Sequence, residues 1–289
     1  MIALQFTRRS FVALCLTLFA AAGFAQDRPA AQEYQPEVGQ AGKDVVWVPT
    51  SQALVDRMLE LGKLTAKDYH IDLGSGDGRT VITAAKRGAT SLGVEYNPDM
   101  VALSQRNAAK EGVSTRAKFV KADLFETDFS QATLITLFLL PDINLKLRPK
   151  ILDLKPGTRI VSNSFTMGEW QHDNSVQATE KEGCQSYCTA YLWIVPAKVD
   201  GTWKLPDGEL TLKQSFQMIT GTLKVGGKET PVKGRLTGDQ LSFKAGEAQY
   251  TGRVSGDGIK GTVKSGAASG EWNASRAGKA AAVSAPSKS

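Results

Sequence analysis

The sequence predicts an α/β domain with a parallel sheet, followed by a small all-β antiparallel domain. The first prediction rests on residues 50–195, where strand segments alternate with helical segments of about ten to fifteen residues. The second rests on short alternating strands after Pro196, separated by turn signals such as Gly226-Gly227 and Gly238-Asp239. Charge supports this division, because the net charge is −2 over residues 26–197 and +6 from Lys198 onward.

Composition excludes several classes of protein. Of the 289 residues, 42% are hydrophobic and 22% are charged, which excludes a mainly disordered chain. The net charge of +6 is too small to indicate nucleic-acid binding, so no nucleic-acid partner is predicted. Three Cys and two His have none of the spacings of a metal site, and no metal is predicted.

The N-terminus has the features of an export signal. Arg8-Arg9 precede a short apolar run, and Gly23-Phe24-Ala25 supplies small residues at a cleavage site, so residues 1–25 are interpreted as a signal peptide. The pair of arginines resembles the twin-arginine motif, and an ordinary secretory signal is the alternative. We therefore expect a periplasmic or secreted protein, with a flexible lead over 26–44, a disordered tail over 277–289 and no transmembrane segment in the mature chain.

The α/β domain is expected to span 45–197, and its elements follow one another in a regular order. Apolar residues at helical spacing predict helices over 51–61, 80–87, 98–111 and 143–152, with Thr50 or Ser51 as the first N-cap and Gly112 closing the third helix. Short apolar runs predict strands over 69–73, 91–95, 119–122, 133–139 and 158–162. Helical crossovers between successive strands make the sheet parallel.

Chemistry-bearing residues follow three of these strands. The first crossover holds Asp72 and then glycines at every second position, with Ser75 and Asp77 between them; these glycines are Gly74, Gly76 and Gly78. This spacing differs from the dinucleotide fingerprint, and the acid favours a ligand with an ammonium or sulfonium group. Glu95 ends the second strand, and Asp123 and Leu124 follow the third. Because open α/β sheets bind ligands at the carboxyl ends of their strands, we expect these residues to form one site.

These residues resemble the class I, seven-β-strand S-adenosylmethionine-dependent methyltransferases, whose domain is Rossmann-like. The resemblance implies that 72–79 form the first cofactor motif, that Glu95 binds ribose, and that Asp123-Leu124 lie beside adenine. Four further stretches resemble one protein lysine methyltransferase group, which includes the mitochondrial ATP synthase c-subunit and adenine nucleotide translocase enzymes. These stretches are residues 46–50, 93–98, 137–141 and 154–163. The resemblance covers about 45–195 and implies S-adenosyl-L-methionine as the cofactor.

The resemblance also suggests where an amine acceptor binds. Leu140 and Pro141 follow the strand whose end places acceptor-facing carbonyls in amine methyltransferases, and Asn144 lies nearby. Trp47 and Thr50 are candidates for closing over the methionine end of the cofactor. Cys184 and Cys188, the two cysteines left after signal removal, are candidates for a structural disulfide in an oxidising compartment.

The region 198–276 is predicted to be an antiparallel meander or barrel, with strands over 209–213, 221–225, 232–236, 240–244, 249–254 and 259–263. It carries no catalytic constellation. Together these features predict an exported S-adenosylmethionine-dependent methyltransferase that acts on an amine, such as a protein lysine or a small amine. The alternative is a non-catalytic protein that binds S-adenosylmethionine or a nucleoside on the same fold.

Overall fold

The computed structural model describes residues 33–278 and Val283. The predicted signal peptide, 1–25, lies outside the described residues, as does most of the predicted tail. The helices of the α/β domain are α1 Gln52–Leu61, α2 Arg79–Lys86, α3 Pro98–Lys110 and α4 Pro141–Leu152. Its strands are β1 Tyr69–Leu73, β2 Thr90–Glu95, β3 Ala117–Lys121, β4 Leu134–Leu137, β5 Arg159–Asn163, β6 Asn174–Gln177 and β7 Thr189–Ile194.

The seven strands form one sheet in the order β3-β2-β1-β4-β5-β7-β6. The first five are parallel, and β7 runs antiparallel to both of its neighbours. The sequential order of the strands reverses beside β1. Because β1, β2 and β4 are parallel, their carboxyl ends lie at the same edge of the sheet. The predicted α/β fold with a seven-stranded sheet is confirmed. Strands β6 and β7 were not predicted; β6 has a short polar sequence at an exposed edge and lacks apolar periodicity.

Helix starts follow local side-chain chemistry. The Ser51 hydroxyl accepts the N–H of Leu54 at 3.3 Å and caps α1. The Asn97 side chain caps α3, which has Pro98 in its first turn. Buried Leu, Ile and Val from both faces of the sheet then pack against the helices, so the strands are held rigidly where they end.

The second domain is a closed eight-stranded antiparallel barrel. Its strands are β8 Gly201–Leu205, β9 Gly208–Ser215, β10 Met218–Val225, β11 Lys228–Thr237, β12 Gln240–Ala245, β13 Ala248–Ser255, β14 Gly258–Ser265 and β15 Ala268–Arg276. Around the barrel they follow the order β10-β11-β12-β13-β14-β15-β8-β9. The predicted antiparallel domain is confirmed, and it has two strands, β8 and β15, beyond the six expected. Pairing of Arg276 with Trp203 closes the barrel around buried Trp203 and Phe243.

The barrel also completes the core of the α/β domain. Phe216, in the turn between β9 and β10, belongs to the main buried cluster of that domain and stacks on Trp170, with ring centroids 5.9 Å apart. Gln217 Nε2 donates to the Gln171 carbonyl at 2.7 Å. An ion pair between Arg235 and Asp173 lies beside this contact. The two domains therefore share a packed interface.

No helix within the described residues is long and apolar enough to cross a membrane.

Candidate functional site

The carboxyl-terminal edge of the sheet holds a cavity of about 500 Å³. It is lined by the loops that follow β1, β2, β3 and β4 and by residues 40–50. Its lining includes eleven of the predicted site residues, namely Trp47, Thr50, Asp72, Gly74, Ser75, Gly76, Asp77, Glu95, Asp123, Leu124 and Leu140. Gly78, Pro141 and Asn144 lie outside the lining. The structure thus brings the predicted cofactor residues together, with Gly78 as the exception.

The turn between β1 and α2 presents main chain to the cavity. Gly74 and Gly76 have φ angles of +78° and +52°, a region that favours glycine. A Cβ atom at Gly76 would lie 2.6 Å from Nε1 of Trp47, so the indole rests on bare backbone. The Ser104 hydroxyl donates to the Gly76 carbonyl at 2.8 Å and fastens the turn to α3. Gly78 serves packing instead of ligand contact, since its Cβ would meet Ser104 Cβ at 2.9 Å.

Asp72 receives a one-way chain of hydrogen bonds through the sheet. Thr136 Oγ1 donates to Asp72 Oδ1 at 2.5 Å. Because that hydroxyl proton is used, His70 Nε2, 2.8 Å away, must donate to Thr136 Oγ1, and Nδ1 accepts from Ser91 Oγ at 2.6 Å. Burial lowers the pKa of His70 to about 3, so the ring is neutral.

The same burial has the opposite effect on the carboxyl group. Burial is the main cause that raises the pKa of Asp72 to about 7; the neighbouring carboxylates of Asp77 and Glu95 act in the same direction, whereas the Thr136 hydrogen bond acts in the opposite direction. A cation that enters the cavity beside Asp72 would stabilise its ionised form. Asp72 is therefore suited to bind an ammonium group.

Glu95 and Asp123 lie farther along the same edge. The two carboxylate oxygens of Glu95 accept the N–H of Gly76 at 3.0 Å and the N–H of Asn97 at 2.9 Å, which orients the group at the cavity wall. Asp123 Oδ2 lies 2.5 Å from Lys43 Nζ, and this hydrogen bond holds the pKa of Asp123 below its ordinary value. A carboxylate has about four lone-pair sites, so Glu95 keeps acceptor capacity for ligand hydroxyls.

Asp77 lines the cavity, but its carboxylate is already engaged. Arg79 Nη2 lies 2.6 Å from Asp77 Oδ2, and Arg79 Nη1 donates to the Thr50 carbonyl at 2.8 Å. Asn163 Nδ2, at the end of β5, donates to the Thr50 hydroxyl at 3.2 Å. Asp77 and Thr50 thus fix the start of α1 over the glycine turn.

Residues 39–47 form a hydrogen-bonded hairpin beside the site. The N–H of Trp47 donates to the Gln40 carbonyl at 2.9 Å, and the N–H of Gly39 donates to the Trp47 carbonyl at 2.8 Å. We expected a flexible lead over 26–44, and the part from Gly39 onward differs from that expectation. The reason is tertiary, because Trp47 rests on the glycine turn and Lys43 binds Asp123.

The segment after β4 starts a helix, which engages the Leu140 carbonyl, whereas the buried Asn144 Oδ1 has no hydrogen-bond partner among the described residues. The Leu140 carbonyl accepts the N–H groups of Ile143 and Asn144 at 3.0 and 3.1 Å. Asn144 is fully buried, and its Nδ2 donates to the Thr166 carbonyl at 3.2 Å. Pro141 is the first residue of α4. Of the three residues expected to position the acceptor, only Leu140 faces the cavity, through its side chain.

Three aromatic residues that we did not predict as site residues line this side of the cavity, and they are Phe138, Phe165 and Tyr187. Phe138 follows β4 directly and Phe165 is the second residue after β5, so their positions near strand ends were a signal available in the sequence. Tyr187 lies in the loop closed by a disulfide between Cys184 and Cys188. No local pattern indicated that this loop reaches the cavity.

Comparisons with known proteins find methyltransferases. A family model described as the ANTKMT methyltransferase domain matches residues 72–174. A protein-lysine N-methyltransferase of Saccharolobus islandicus is 42% identical over 154 residues, which cover 52% of this chain and 94% of that enzyme. The Homo sapiens lysine N-methyltransferase of the ATP synthase c-subunit is 40% identical over 105 residues, covering 36% of this chain and 45% of that enzyme.

Among solved structures, a crystal structure described as an RNA methyltransferase from Salinibacter ruber in complex with S-adenosyl-L-homocysteine is 45% identical. The match has a TM-score of 0.49 and covers 53% of this chain and 96% of that one. These matches cover about half of the chain or less.

Proposed function

Since this chain belongs to the S-adenosylmethionine-dependent methyltransferases that carry the ANTKMT methyltransferase domain, we propose that it methylates a lysine side chain of a protein outside the cytoplasm. The observation that carries the proposal is the cavity that joins Asp72, the glycine turn and Glu95 to an apolar mouth. The names of the relatives support lysine as the acceptor. The disulfide and the N-terminal sequence support the location.

The residues present fit S-adenosylmethionine. Asp72 would hold its ammonium group, and the two oxygens of Glu95 would accept the ribose hydroxyls. Gly74 and Gly76 present main chain to the cavity, and their positive φ angles are ones that residues with side chains rarely adopt. Ser75 Oγ is buried and has no hydrogen-bond partner among the residues described, so it is available to a ligand. Leu124 supplies an apolar wall for the base.

The protein's task in the reaction is to position a neutral amine. S-adenosylmethionine supplies a methyl group on positively charged sulfur, so transfer breaks the S–C bond, forms an N–C bond, leaves a neutral thioether and moves the positive charge to nitrogen. The product ammonium then releases a proton to water if it carries one. The apolar side chains at the mouth, including Leu140, exclude water and favour the neutral amine before attack. A dedicated base is unnecessary for this step.

Calorimetry and a labelled-methyl assay test the activity. We expect the mature protein to bind S-adenosylmethionine and S-adenosylhomocysteine, and to transfer labelled methyl groups to protein in a cell-envelope extract. Glu95→Gln should lower the affinity for both ligands, because the amide has one acceptor oxygen fewer and no charge. Glu247→Gln, in an exposed barrel turn, is the control and should leave the affinity unchanged. Absence of ligand binding by the unsubstituted protein would overturn the proposal.

Export is tested separately. Disulfides persist mainly in oxidising compartments, which supports a location outside the cytoplasm. A reporter fused to residues 1–30 should cross the inner membrane. Replacement of Arg8-Arg9 by Lys-Lys should stop transport if the route is twin-arginine and leave it unchanged if the route is general secretion. Cytoplasmic retention of the native fusion would contradict the export proposal.

A further inference from the structure

Three aromatic rings meet at the mouth of the cavity. The ring centroid of Phe138 lies 5.2 Å from that of Tyr187 and 6.0 Å from that of Phe165, and Phe165 and Tyr187 are also 6.0 Å apart. All three side chains line the same cavity as Asp72 and the glycine turn. We call this set the aromatic mouth.

The aromatic mouth is assembled from three separate segments. Phe138 follows β4, and Phe165 follows Ser164, whose φ of +58° turns the chain at the end of β5. The N–H of Ser164 donates to the Thr189 carbonyl at 2.7 Å, which ties this turn to the first residue of β7. Tyr187 lies just before β7 and has a φ of +53°.

A disulfide holds the third ring in place. Cys184 and Cys188 are bonded and enclose Tyr187, so the loop has little freedom to place that ring elsewhere. Left-handed backbone at a bulky residue is unfavourable and is maintained only where surrounding structure imposes it. Cys184 is itself buried in the core, which anchors the loop at one end.

Core packing does not account for the aromatic mouth. None of the three rings belongs to the buried clusters of the described residues, and Tyr187 remains 47% exposed. By contrast, Trp170 and Trp193 are fully buried. Partly exposed rings grouped at a cavity are typical of a ligand site, and ring faces attract cations that carry alkyl groups.

Two of the polar groups near the mouth are engaged in other contacts. The Leu140 carbonyl and the Asn144 amide nitrogen make the helix and loop contacts described above. A site built from carbonyls would select N–H donors, whereas ring faces select a cation through its charge and its methyl groups. The mouth is therefore chemically matched to a methylated ammonium.

We propose that Phe138, Phe165 and Tyr187 form the acceptor subsite, that they hold the methylated ammonium group of the lysine against their ring faces, and that the Cys184–Cys188 disulfide is required to complete it. This inference rests on the proposed methyltransferase function. It assigns the acceptor side of the cavity to residues that are separate from the cofactor residues.

The test uses the mature protein saturated with S-adenosylhomocysteine and two probes. One is Nα-acetyl-Nε-trimethyl-lysine amide, and the other is its neutral isostere, in which carbon replaces the charged nitrogen. NMR titration should show the charged probe binding roughly five- to thirty-fold more tightly, the range expected for cation–π contacts. Equal affinity for the two probes would overturn the inference.

Paired variants locate the effect. Tyr187→Phe keeps the ring and should change the affinity for the charged probe by less than about twofold, whereas Tyr187→Leu should weaken it by about three- to fivefold, as expected for one exposed ring. Phe138→Leu should behave like Tyr187→Leu. Affinity for S-adenosylhomocysteine should stay the same in all three, which separates a lost acceptor subsite from a misfolded protein. Unchanged probe affinity in Tyr187→Leu would refute the assignment.

Reduction tests the role of the disulfide. Mild reductant should lower the affinity of the unsubstituted protein for the charged probe by about the same factor as Tyr187→Leu does. It should not lower the affinity of the Tyr187→Leu variant further. Additive losses would show that the disulfide acts independently of Tyr187 and contradict that part of the inference. A protein that binds S-adenosylhomocysteine but not the trimethyl-lysine probe would refute the subsite alone, whereas failure to bind S-adenosylhomocysteine would refute the proposed function.

Discussion

Replacement of Asp72 by Asn should stabilise the free protein and weaken its cofactor binding. The carboxyl group lies buried in the sheet, and burial raises its pKa from 3.8 to about 7. Asn keeps the oxygen that accepts from Thr136 but cannot ionise. The substitution therefore removes the buried charge with little change in shape.

The expected stability change depends on pH. Well below pH 3.8 the carboxyl group is protonated in both folded and unfolded protein, so Asp72→Asn changes little. Between about pH 4 and 7 the unfolded chain releases the proton and the folded protein keeps it, so the unsubstituted protein loses stability as pH rises. A pKa difference of about 3 units at 1.36 kcal/mol each gives an upper limit of about 4 kcal/mol above pH 7.

Urea unfolding at pH 4 and pH 8 measures this difference. The stability advantage of Asp72→Asn should be near zero at pH 4 and largest at pH 8. Asp207→Asn, in an exposed barrel turn, is the matched control and should show no such trend. The burial argument is refuted if Asp72→Asn is no more stable than the unsubstituted protein at pH 8.

Cofactor binding should change in the opposite direction. The ligand's α-amino group stands beside a free carboxylate and is more basic than a peptide's α-amino group, whose pKa is about 7.7–8.0, so it stays charged between pH 5.5 and 7.5. Over that range the affinity of the unsubstituted protein for S-adenosylhomocysteine should rise as Asp72 ionises. The Asp72→Asn protein should bind the ligand roughly ten- to a hundredfold more weakly at pH 7.5, and its affinity should depend little on pH. Calorimetry that finds equal affinities would show that Asp72 does not bind the ammonium.

Two further substitutions test the glycine turn and the domain interface. Gly76→Val should abolish S-adenosylhomocysteine binding in calorimetry, because its Cβ would lie 2.6 Å from Trp47 Nε1. The control is Gly112→Ala, which is also at positive φ but has nothing within 4 Å, and it should keep binding. Equal loss of binding in both variants would indicate general destabilisation. Phe216→Ala should cost about 3–5 kcal/mol of unfolding free energy, since it removes the ring stacked on Trp170. A cost below about 1 kcal/mol in urea unfolding would show that the barrel contributes little to the α/β core.

Some of the candidate site could be predicted because it depends on local order along the chain. Asp72, the glycine turn and Glu95 follow consecutive strands, and a parallel sheet with helical crossovers must bring such positions to one edge. Hydrophobic periodicity was sufficient to predict helices α1 to α4 and strands β1 to β5. Turn residues were likewise sufficient to indicate the antiparallel strands of the second domain.

Other features depend on contacts between distant residues. Lys43 binds Asp123, 80 positions away, and this contact orders a segment whose polar composition suggested flexibility. Phe216 enters the core of a domain that ends before the barrel begins. The first and last strands of the barrel meet through pairing of β8 with β15, which local alternation cannot reveal.

The sequence by itself determined the fold class, the cofactor edge and the family resemblance, because these follow from spacing within one strand–turn–helix unit and from its repetition. The tertiary structure alone decided which polar groups remain available. It assigns the Leu140 carbonyl to the first turn of α4, the Asn144 amide to a neighbouring loop and the Tyr187 ring to the cavity. The physical reason is that a hydrogen-bonding group or a ring face can serve only the partners that the folded chain brings within reach.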